Sequence, residues 1–173
     1  GPVHLTTLAG IRRIDVISAE DMGQAVQSEC QDCDIFIGVA AVADYRPAYA
    51  KTYKLKKSPQ TMTIDMTLNL DILANVLQMP NPPFTVGFCA ETENLQQNAK
   101  EKMKHKPVDM LIANLVSNPK HDHFVTGFDR QDNAVTVFGV HGQRSFARMA
   151  KTVLAQQLIA MIAEQFKAKN DRK

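Results

Sequence analysis

The chain has 173 residues, which suits one domain of ordinary size with a core of its own. Hydrophobic residues make up 45% and charged residues 22%, as in soluble globular proteins, and no apolar run reaches membrane-spanning length. The formal net charge of +2 excludes a surface that is basic throughout, so we expect neither a nucleic-acid nor a membrane partner, and any basic function must be local.

The three cysteines, Cys30, Cys33 and Cys89, are an odd number. This count argues against a disulfide framework and predicts a reducing cytoplasm. Cys30 and Cys33 form a C-x-x-C pair at the end of a predicted helix, but no second Cys or His pair stands at zinc-ligand spacing from them. We therefore interpret both as incidental thiols.

The first third of the chain predicts a strand, a helix and a second strand. Residues 13–17, RIDVI, alternate as a short strand does. Ser18, with Asp21 three residues later, resembles a capping box that opens a helix over residues 19–30. Residues 34–40, DIFIGVA, are nearly all apolar, which is typical of a strand covered on both faces of a parallel sheet.

The rest of the chain continues the alternation. Residues 51–60 are basic and irregular, residues 61–68 predict an exposed strand or hairpin arm, and a short helix from residue 69 or 70 ends at residue 79, before PNPP. FTVGFCAET (84–92) predicts a buried strand, with Thr92 capping a helix over 93–105, and residues 109–114 predict another core strand. After a polar loop, residues 133–140 predict a strand, and we expect Ser145 to cap the last helix. Its wide apolar stripe is formed by Val153, Leu154, Leu158, Ile159, Met161, Ile162 and Phe166.

This order of elements predicts an α/β, Rossmann-like fold: a mostly parallel sheet with helices on both faces and an extended β arm. In such sheets, ligands bind beyond the carboxyl ends of the strands. Three candidate ends carry small or polar residues, namely GVAAVAD, GFCAET and IAN.

Two groups of lysines follow the first two of these ends: Lys51, Lys54, Lys56 and Lys57, then Lys100, Lys102, Lys104 and Lys106. One interpretation is a solvated surface. The other is a polyphosphate site, because lysine can neutralise the charge that develops in phosphoryl or nucleotidyl transfer. The sequences G-x-x-x-x-G-K-[ST] and G-x-G-x-x-G are absent, which argues against an ordinary P-loop enzyme and a standard dinucleotide binder.

Several carboxylates and histidines have two interpretations. Asp44 and Asp71 are candidate partners of a nucleotide or its magnesium ion, but Asp71 could equally be a carboxylate that favours a helix start. Glu91 ends a core strand, where a buried carboxylate needs a partner or a role. His121 and His123 could contact a metal, but a solvent loop is favoured because no third ligand is placed nearby.

Seven motifs occur in the order of a known family: GVAAVADYRP, KLKK, LNLDIL, VGFCAET, KMKHK, DMLIANLVS and FDRQDNAVTVF. Together they resemble the bacterial CTP-dependent phosphopantothenoylcysteine synthetases, which in many bacteria form the C-terminal half of a bifunctional coenzyme A biosynthesis protein. The likeness covers nearly the whole chain. It implies a ligase that uses CTP, with Mg²⁺, to join 4'-phosphopantothenate to L-cysteine through an acyl-cytidylate, releasing pyrophosphate and then CMP.

The resemblance also implies roles for single residues. Lys54 matches the catalytic lysine of a mobile loop and is assigned to the α-phosphate. The nucleotide-binding set is Gly38, Val39, Ala40, Asp44, Lys54, Leu70, Asp71, Ile72, Leu73, Phe88, Lys102 and Lys106. Ala41 and Asn114 are assigned to the acyl substrate, and the metal ligands are left unassigned.

The chain departs from the family pattern at three places. Leu70 replaces a usual proline, and Leu115 replaces a usual aspartate, which puts in doubt the role given to Asn114. The family's first strand and its SNxSSGKMG loop are expected before residue 1, so we expect a single synthetase domain, 1–173, that lacks both. The family is dimeric, and residues 61–68 are the expected dimerisation arm.

Two other functions stay open at this point. A non-catalytic nucleotide-binding domain would bind CTP without forming CMP. An NAD(P)-dependent reductase-like protein would share the strand and helix alternation, but the absence of G-x-G-x-x-G argues against it, and neither Tyr45 nor Tyr49 stands four residues before a lysine.

Overall fold

A computed structural model describes residues 6–56, 61–116 and 131–171. The described residues form two compact units, one within residues 1–31 and 40–72 and a larger one within residues 32–39 and 73–173. The helices are α1 (Ala19–Glu29), α2 (Ile72–Leu77), α3 (Leu95–His105) and α4 (Lys151–Asn170). The strands are β1 (Ile35–Gly38), β2 (Tyr45–Pro47), β3 (Met66–Leu68), β4 (Phe84–Glu91), β5 (Met110–Leu115), β6 (Asp132–Gly139) and β7 (Gly142–Ala150).

The larger unit is built on a five-stranded sheet in the order β1-β4-β5-β6-β7. Strands β1, β4 and β5 are parallel, while β6 and β7 are added antiparallel. The first four residues of both β4 and β5 are buried, as the apolar runs in the sequence predict. The predicted α/β, Rossmann-like class is therefore confirmed, with its parallel pairing confined to three strands.

Helices cover both faces of this sheet because alternate strand residues point to opposite sides. On one face, Ile112 packs in a core cluster with Leu154, Leu158 and Ile162 of α4. Leu111, the residue before it in β5, belongs to a second cluster with α3. The buried α4 residues recur every four positions, which makes a narrower stripe than predicted, because Val153 and Ile159 are exposed.

The segment between the predicted turn and the last helix differs from the prediction. Gly142, with φ of +104°, starts strand β7, and Ser145 lies in that strand rather than at a helix cap. The hydroxyl groups of Ser145 and Thr136 lie 3.1 Å apart across β6 and β7. Residues up to Ala150 pair with β6 as a strand, so the helix begins only at Lys151, with no side-chain hydrogen bond at its cap.

The start of α3 also differs from the prediction. The cap is Asn94 rather than Thr92, and Asn94 adopts a left-handed conformation with φ of +50° without a side-chain capping bond. The helix begins two residues later than predicted, since the chain leaving β4 first bends at residues 92 and 93. Helix α2 is likewise shorter than the predicted span of 69 or 70 to 79.

The smaller unit contains α1 and the two-stranded antiparallel ribbon of β2 and β3. The capping box is confirmed: the Asp21 N–H donates to the Ser18 hydroxyl, and the Ser18 N–H donates to the Asp21 carboxylate. The strand predicted over residues 13–17 is wrong. Those residues form no ladder in the part of the chain described, and an alternating sequence needs a partner strand to become one.

Only part of the predicted arm over residues 61–68 is a strand, because pairing with β2 begins at Met66. The predicted loop of 51–60 is irregular over 51–56, and the rest of it, like His121 and His123, lies outside the described residues. None of the helices in the described ranges has the length and apolar composition needed to cross a bilayer.

Candidate functional site

A pocket of about 500 Å³ opens in the larger unit, at the carboxyl end of β4 and along α3. This is where the strand ends of an open α/β sheet predict a ligand. The lining residues come from α2, β4, α3 and the start of β5, and they are Leu73, Phe88, Cys89, Glu91, Asn98, Glu101, Lys102, His105, Lys106, Val108 and Leu111.

The floor of the pocket is apolar. Leu73, Val108 and Leu111 contribute to it. Gly87 leaves room beneath them, because a Cβ at this position would lie 3.2 Å from Leu73 Cδ2 and 3.4 Å from Leu111 Cδ1. The Phe88 ring packs on the opposite face of the sheet, against the core cluster that includes α4, because neighbouring strand residues point to opposite sides. The floor is therefore aliphatic and suited to an uncharged group.

The rim of the pocket is polar and is organised by Glu91. Asn98 donates from Nδ2 to Glu91 Oε2 at 2.7 Å, and the Lys102 ammonium donates to Glu91 Oε1 at 2.5 Å. Burial opposes ionisation of Glu91, but the hydrogen bonds from Lys102 and Asn98 and the charge of Lys102 outweigh it. The pKa of Glu91 is lowered from 4.5 as a result, and the side chain is an anion at neutral pH.

Cys89 lies in the same pocket but does not have the properties of a nucleophile. Its burial raises the pKa of the thiol above 9.0; the charge of Lys102 lowers it and that of Glu91 raises it further. The thiolate is the reactive form of cysteine, so Cys89 is a protonated and unreactive side chain at neutral pH.

The two lysines predicted on this helix both line the pocket, although they lie differently on α3. Lys102 is in the last turn, and Lys106 is the C-cap, whose N–H donates to the Lys102 carbonyl at 2.8 Å. Cations near a helix C-terminus interact favourably with its dipole. The structure thus brings Leu73, Phe88, Lys102 and Lys106 of the predicted set into one pocket.

The other predicted residues of the larger unit lie at two strand ends. Gly38 ends β1, with Val39 exposed directly after it, and Asn114 is half-buried near the end of β5. Leu115, which stands where the family usually has aspartate, is exposed. None of these residues is among those that line the pocket.

The smaller unit carries the rest of the predicted set, namely Ala40, Ala41, Asp44, Lys54, Leu70, Asp71 and Ile72. Asn69 connects two of its segments. Its side chain donates to the Ala43 carbonyl at 2.8 Å, and its N–H donates to the Asp44 carbonyl at 2.7 Å. Arg46 adds a hydrogen bond of 2.6 Å to the Leu68 carbonyl. The AVAD and LNLDIL segments are therefore adjacent in this unit.

Two further predicted residues have clear surroundings in the smaller unit. Leu70, which replaces a proline of the family pattern, packs on α1, where a Cβ at Gly23 would lie 2.9 Å from Leu70 Cδ2. Lys54 is exposed on irregular backbone. Sequence reasoning missed Asn69, Asn98 and His105. The signal for Asn98 was its spacing of four residues before Lys102, which places both on one helix face.

The sequence matches the family described as DNA/pantothenate metabolism flavoprotein C-terminal domain over residues 1–166. The coenzyme A biosynthesis bifunctional protein CoaBC of Vibrio cholerae is 45% identical over 168 residues, which are 95% of this chain and 41% of that protein. Its namesake in Escherichia coli is 38% identical over 176 residues, covering 99% of this chain and 42% of that protein.

Solved structures agree with these matches. A crystal structure of the C-terminal domain of the coenzyme A biosynthesis bifunctional protein CoaBC superposes with a TM-score of 0.74 at 26% identity, over 98% of this chain and 72% of that one. The DNA/pantothenate metabolism flavoprotein of Streptococcus pneumoniae, at 14% identity, shares the fold with a TM-score of 0.65 over 86% of this chain and 71% of that one. The chain spans about two fifths of the curated relatives named above, and its predicted resemblance to the C-terminal half of such proteins is confirmed. It belongs to the DNA/pantothenate metabolism flavoprotein C-terminal domain family.

Proposed function

We propose that this chain is a phosphopantothenoylcysteine synthetase, a ligase of coenzyme A biosynthesis. The observation that carries the proposal is the pocket in the larger unit, in which an apolar floor and two lysines adjoin the end of a parallel strand. Family membership supports the same function. It gives no support to the alternative of an NAD(P)-dependent reductase.

The proposed reaction has two steps. The carboxylate of 4'-phosphopantothenate attacks the α-phosphorus of CTP and displaces pyrophosphate, which leaves an acyl-cytidylate. The amine of cysteine then attacks the acyl carbon, forms the amide and displaces CMP. The first step brings two anions together, so cationic side chains are needed to neutralise the charge that develops at phosphorus.

We assign the residues of this chain as follows. Phe88 lies beside the cytosine base, and Lys102 and Lys106 donate to the anionic part of the nucleotide. Lys54 donates to the α-phosphate in the transition state. The remaining nucleotide contacts are given to Gly38, Val39, Ala40, Asp44, Leu70, Asp71, Ile72 and Leu73, and the acyl substrate to Ala41 and Asn114.

The residues present are compatible with a magnesium ion bound together with its nucleotide. The described ranges contain no cluster of three His, Cys, Asp or Glu side chains that could hold a metal by themselves. Magnesium in nucleotide sites usually needs only one or two carboxylates, with phosphates and water completing its shell. The exposed Asp44 and Asp71 are the proposed carboxylates. The bound ion would neutralise phosphate charge.

We also propose that the protein is a homodimer in the cytoplasm, paired through the ribbon of β2 and β3. Tyr45, Met66 and Leu68 lie on this three-residue ribbon with large exposed apolar side chains. Exposed apolar surface and open strand edges are common features of subunit contacts. Sedimentation of Leu68→Lys should show a shift from dimer to monomer; an unchanged dimer would place the contact elsewhere.

The test of function is CMP release that depends on both 4'-phosphopantothenate and cysteine. We expect Lys54→Gln to lower kcat by about 10²-fold, the usual effect of removing a donor to transition-state charge. Lys51→Gln, an exposed lysine three residues earlier, is the matched control and should keep its rate.

Thermal-shift titrations with CTP, ATP and GTP in Mg²⁺ separate the alternatives. A shift with CTP but no CMP release from the protein with both acceptors would favour a non-catalytic nucleotide-binding domain. Full activity of Lys54→Gln would remove the assignment of Lys54 and leave the ligase proposal intact.

A further inference from the structure

Glu91, at the end of β4, is fixed by hydrogen bonds to both of its carboxylate oxygens. Its side chain is only 12% exposed, and both carboxylate oxygens accept hydrogen bonds, one from Lys102 and one from Asn98. Asn98 is fixed in turn, because its Nδ2 also donates to the Glu93 carbonyl at 3.2 Å. The three side chains form one connected polar group at the end of β4.

This polar group has a covered end and an accessible end. Asn98 and Lys102 are four residues apart on α3, so both side chains reach Glu91 from the same helix face. All three residues line the pocket. Because the Lys102 side chain is 50% exposed while Glu91 is largely covered, the carboxylate is the inner end of the pair and the ammonium is its accessible end.

We propose that Glu91 is a positioning residue that fixes the Lys102 ammonium at the pocket for contact with phosphate oxygens, and that Asn98 holds Glu91 in place. This inference rests on the proposed nucleotide site. A lysine side chain has many rotamers, and ordering it at the moment of binding opposes affinity. A preformed ion pair removes that cost. Protein kinases use the same device, in which a glutamate from a helix fixes the lysine that contacts phosphates.

A carboxylate beside an ammonium also has an opposite effect, since it weakens the attraction of Lys102 for an anion. The two effects predict opposite results for Glu91→Gln. If positioning dominates, loss of the charge weakens CTP binding. If neutralisation dominates, the variant binds CTP more tightly.

A double-mutant cycle with CTP and Mg²⁺, read by calorimetry, decides between them. We expect Glu91→Gln to raise the Kd about fivefold when Lys102 is present, and less than about twofold in a Lys102→Met background, because coupled residues in contact are non-additive. Asn98→Ala should show a smaller loss with the same dependence on Lys102. In turnover, Glu91→Gln should raise KM for CTP with kcat within about twofold of the parent.

Asp132→Asn is the matched control, because it removes a carboxylate from an ion pair with Arg148 on β6 and β7, and none of the pocket residues belongs to those strands. Its Kd should be unchanged. Equal losses with and without Lys102, or tighter binding by Glu91→Gln, would overturn the positioning role while leaving the nucleotide site in place. Absence of CTP binding by the parent protein would refute the proposed function, and the inference with it. Should Glu91→Gln fail to fold, the Asn98→Ala arm of the cycle gives the same decision.

Discussion

Asp109 contacts both the sheet and the last helix, and the Asp109→Ala variant tests how much these contacts stabilise the fold. Asp109 Oδ2 accepts the backbone N–H of Thr85 at 2.9 Å, and Oδ1 accepts the Lys169 ammonium of α4 at 2.5 Å. Thr85 is completely buried, so its N–H depends on Asp109 as acceptor. The Asp109 side chain is 18% exposed and the Lys169 side chain 42%, which makes their ion pair only partly screened.

The magnitude follows from these contacts. A buried N–H left without an acceptor costs about 1–3 kcal/mol. A partly exposed ion pair adds about 0–1 kcal/mol. Asp109→Ala should therefore lower the free energy of unfolding by about 1–4 kcal/mol, with about 2 kcal/mol as the central value, a large part of the roughly 5–15 kcal/mol typical of a domain. Asp109→Asn keeps an oxygen for Thr85 and loses only the charge, so its cost should be about 1 kcal/mol or less.

The measurement is urea unfolding at neutral pH followed by circular dichroism. With a slope of about 2 kcal/mol per molar urea, the alanine variant should lose about 1 M from its midpoint and the asparagine variant less than about 0.5 M. The chain has no tryptophan, and its three tyrosines, Tyr45, Tyr49 and Tyr53, all lie in the smaller unit, so tyrosine fluorescence reports that unit separately. Equal losses for the two variants would refute the role given to the Thr85 hydrogen bond.

Three further predictions concern the core, the acid response and the pocket floor. Ile112→Ala, at a fully buried site, should lower the free energy of unfolding by about 2–5 kcal/mol. Ile159→Ala, at a site on α4 that is 55% exposed, should lower it by well under half of that amount. Similar urea midpoints for the two variants would contradict the assigned core. The lowered pKa of Glu91 stabilises the fold at pH values above its ordinary 4.5, and this contribution is lost as pH falls through the folded-state pKa. The free energy of unfolding of Glu91→Gln should therefore fall less steeply than that of the parent between about pH 5 and pH 3. An unchanged dependence on pH would contradict the lowered pKa. Gly87→Val should lower the free energy of unfolding by about 1–3 kcal/mol, because even its Cβ would lie 3.2 Å from Leu73 Cδ2. Calorimetry should also show weaker CTP binding than in the parent. A variant as stable and as tight-binding as the parent would show that the neighbouring side chains can move to make room.

The features that sequence predicted well depend on neighbours along the chain. The capping box of Ser18 and Asp21 forms within one helical turn, so its residue types were enough to place the start of α1. The runs FTVGFCAE and MLIANL are strands whose burial on both faces follows from continuous apolar sequence. Lys102 and Lys106, assigned to the nucleotide from the KMKHK motif, both line the pocket.

The tertiary structure alone decided the features that depend on distant partners. An alternating segment becomes a strand only beside another strand, so RIDVI stayed irregular while the segment around Ser145 paired with β6. Glu91 was visible as a carboxylate that needed a partner, but its contacts with Asn98 and Lys102 arise because α3 folds back along β4. The amino-acid pattern therefore determined which segments could be helices and strands. Contacts between residues far apart in the chain determined which of them paired and which side chains line the pocket, because those contacts gain their energy only after the loops between them have closed.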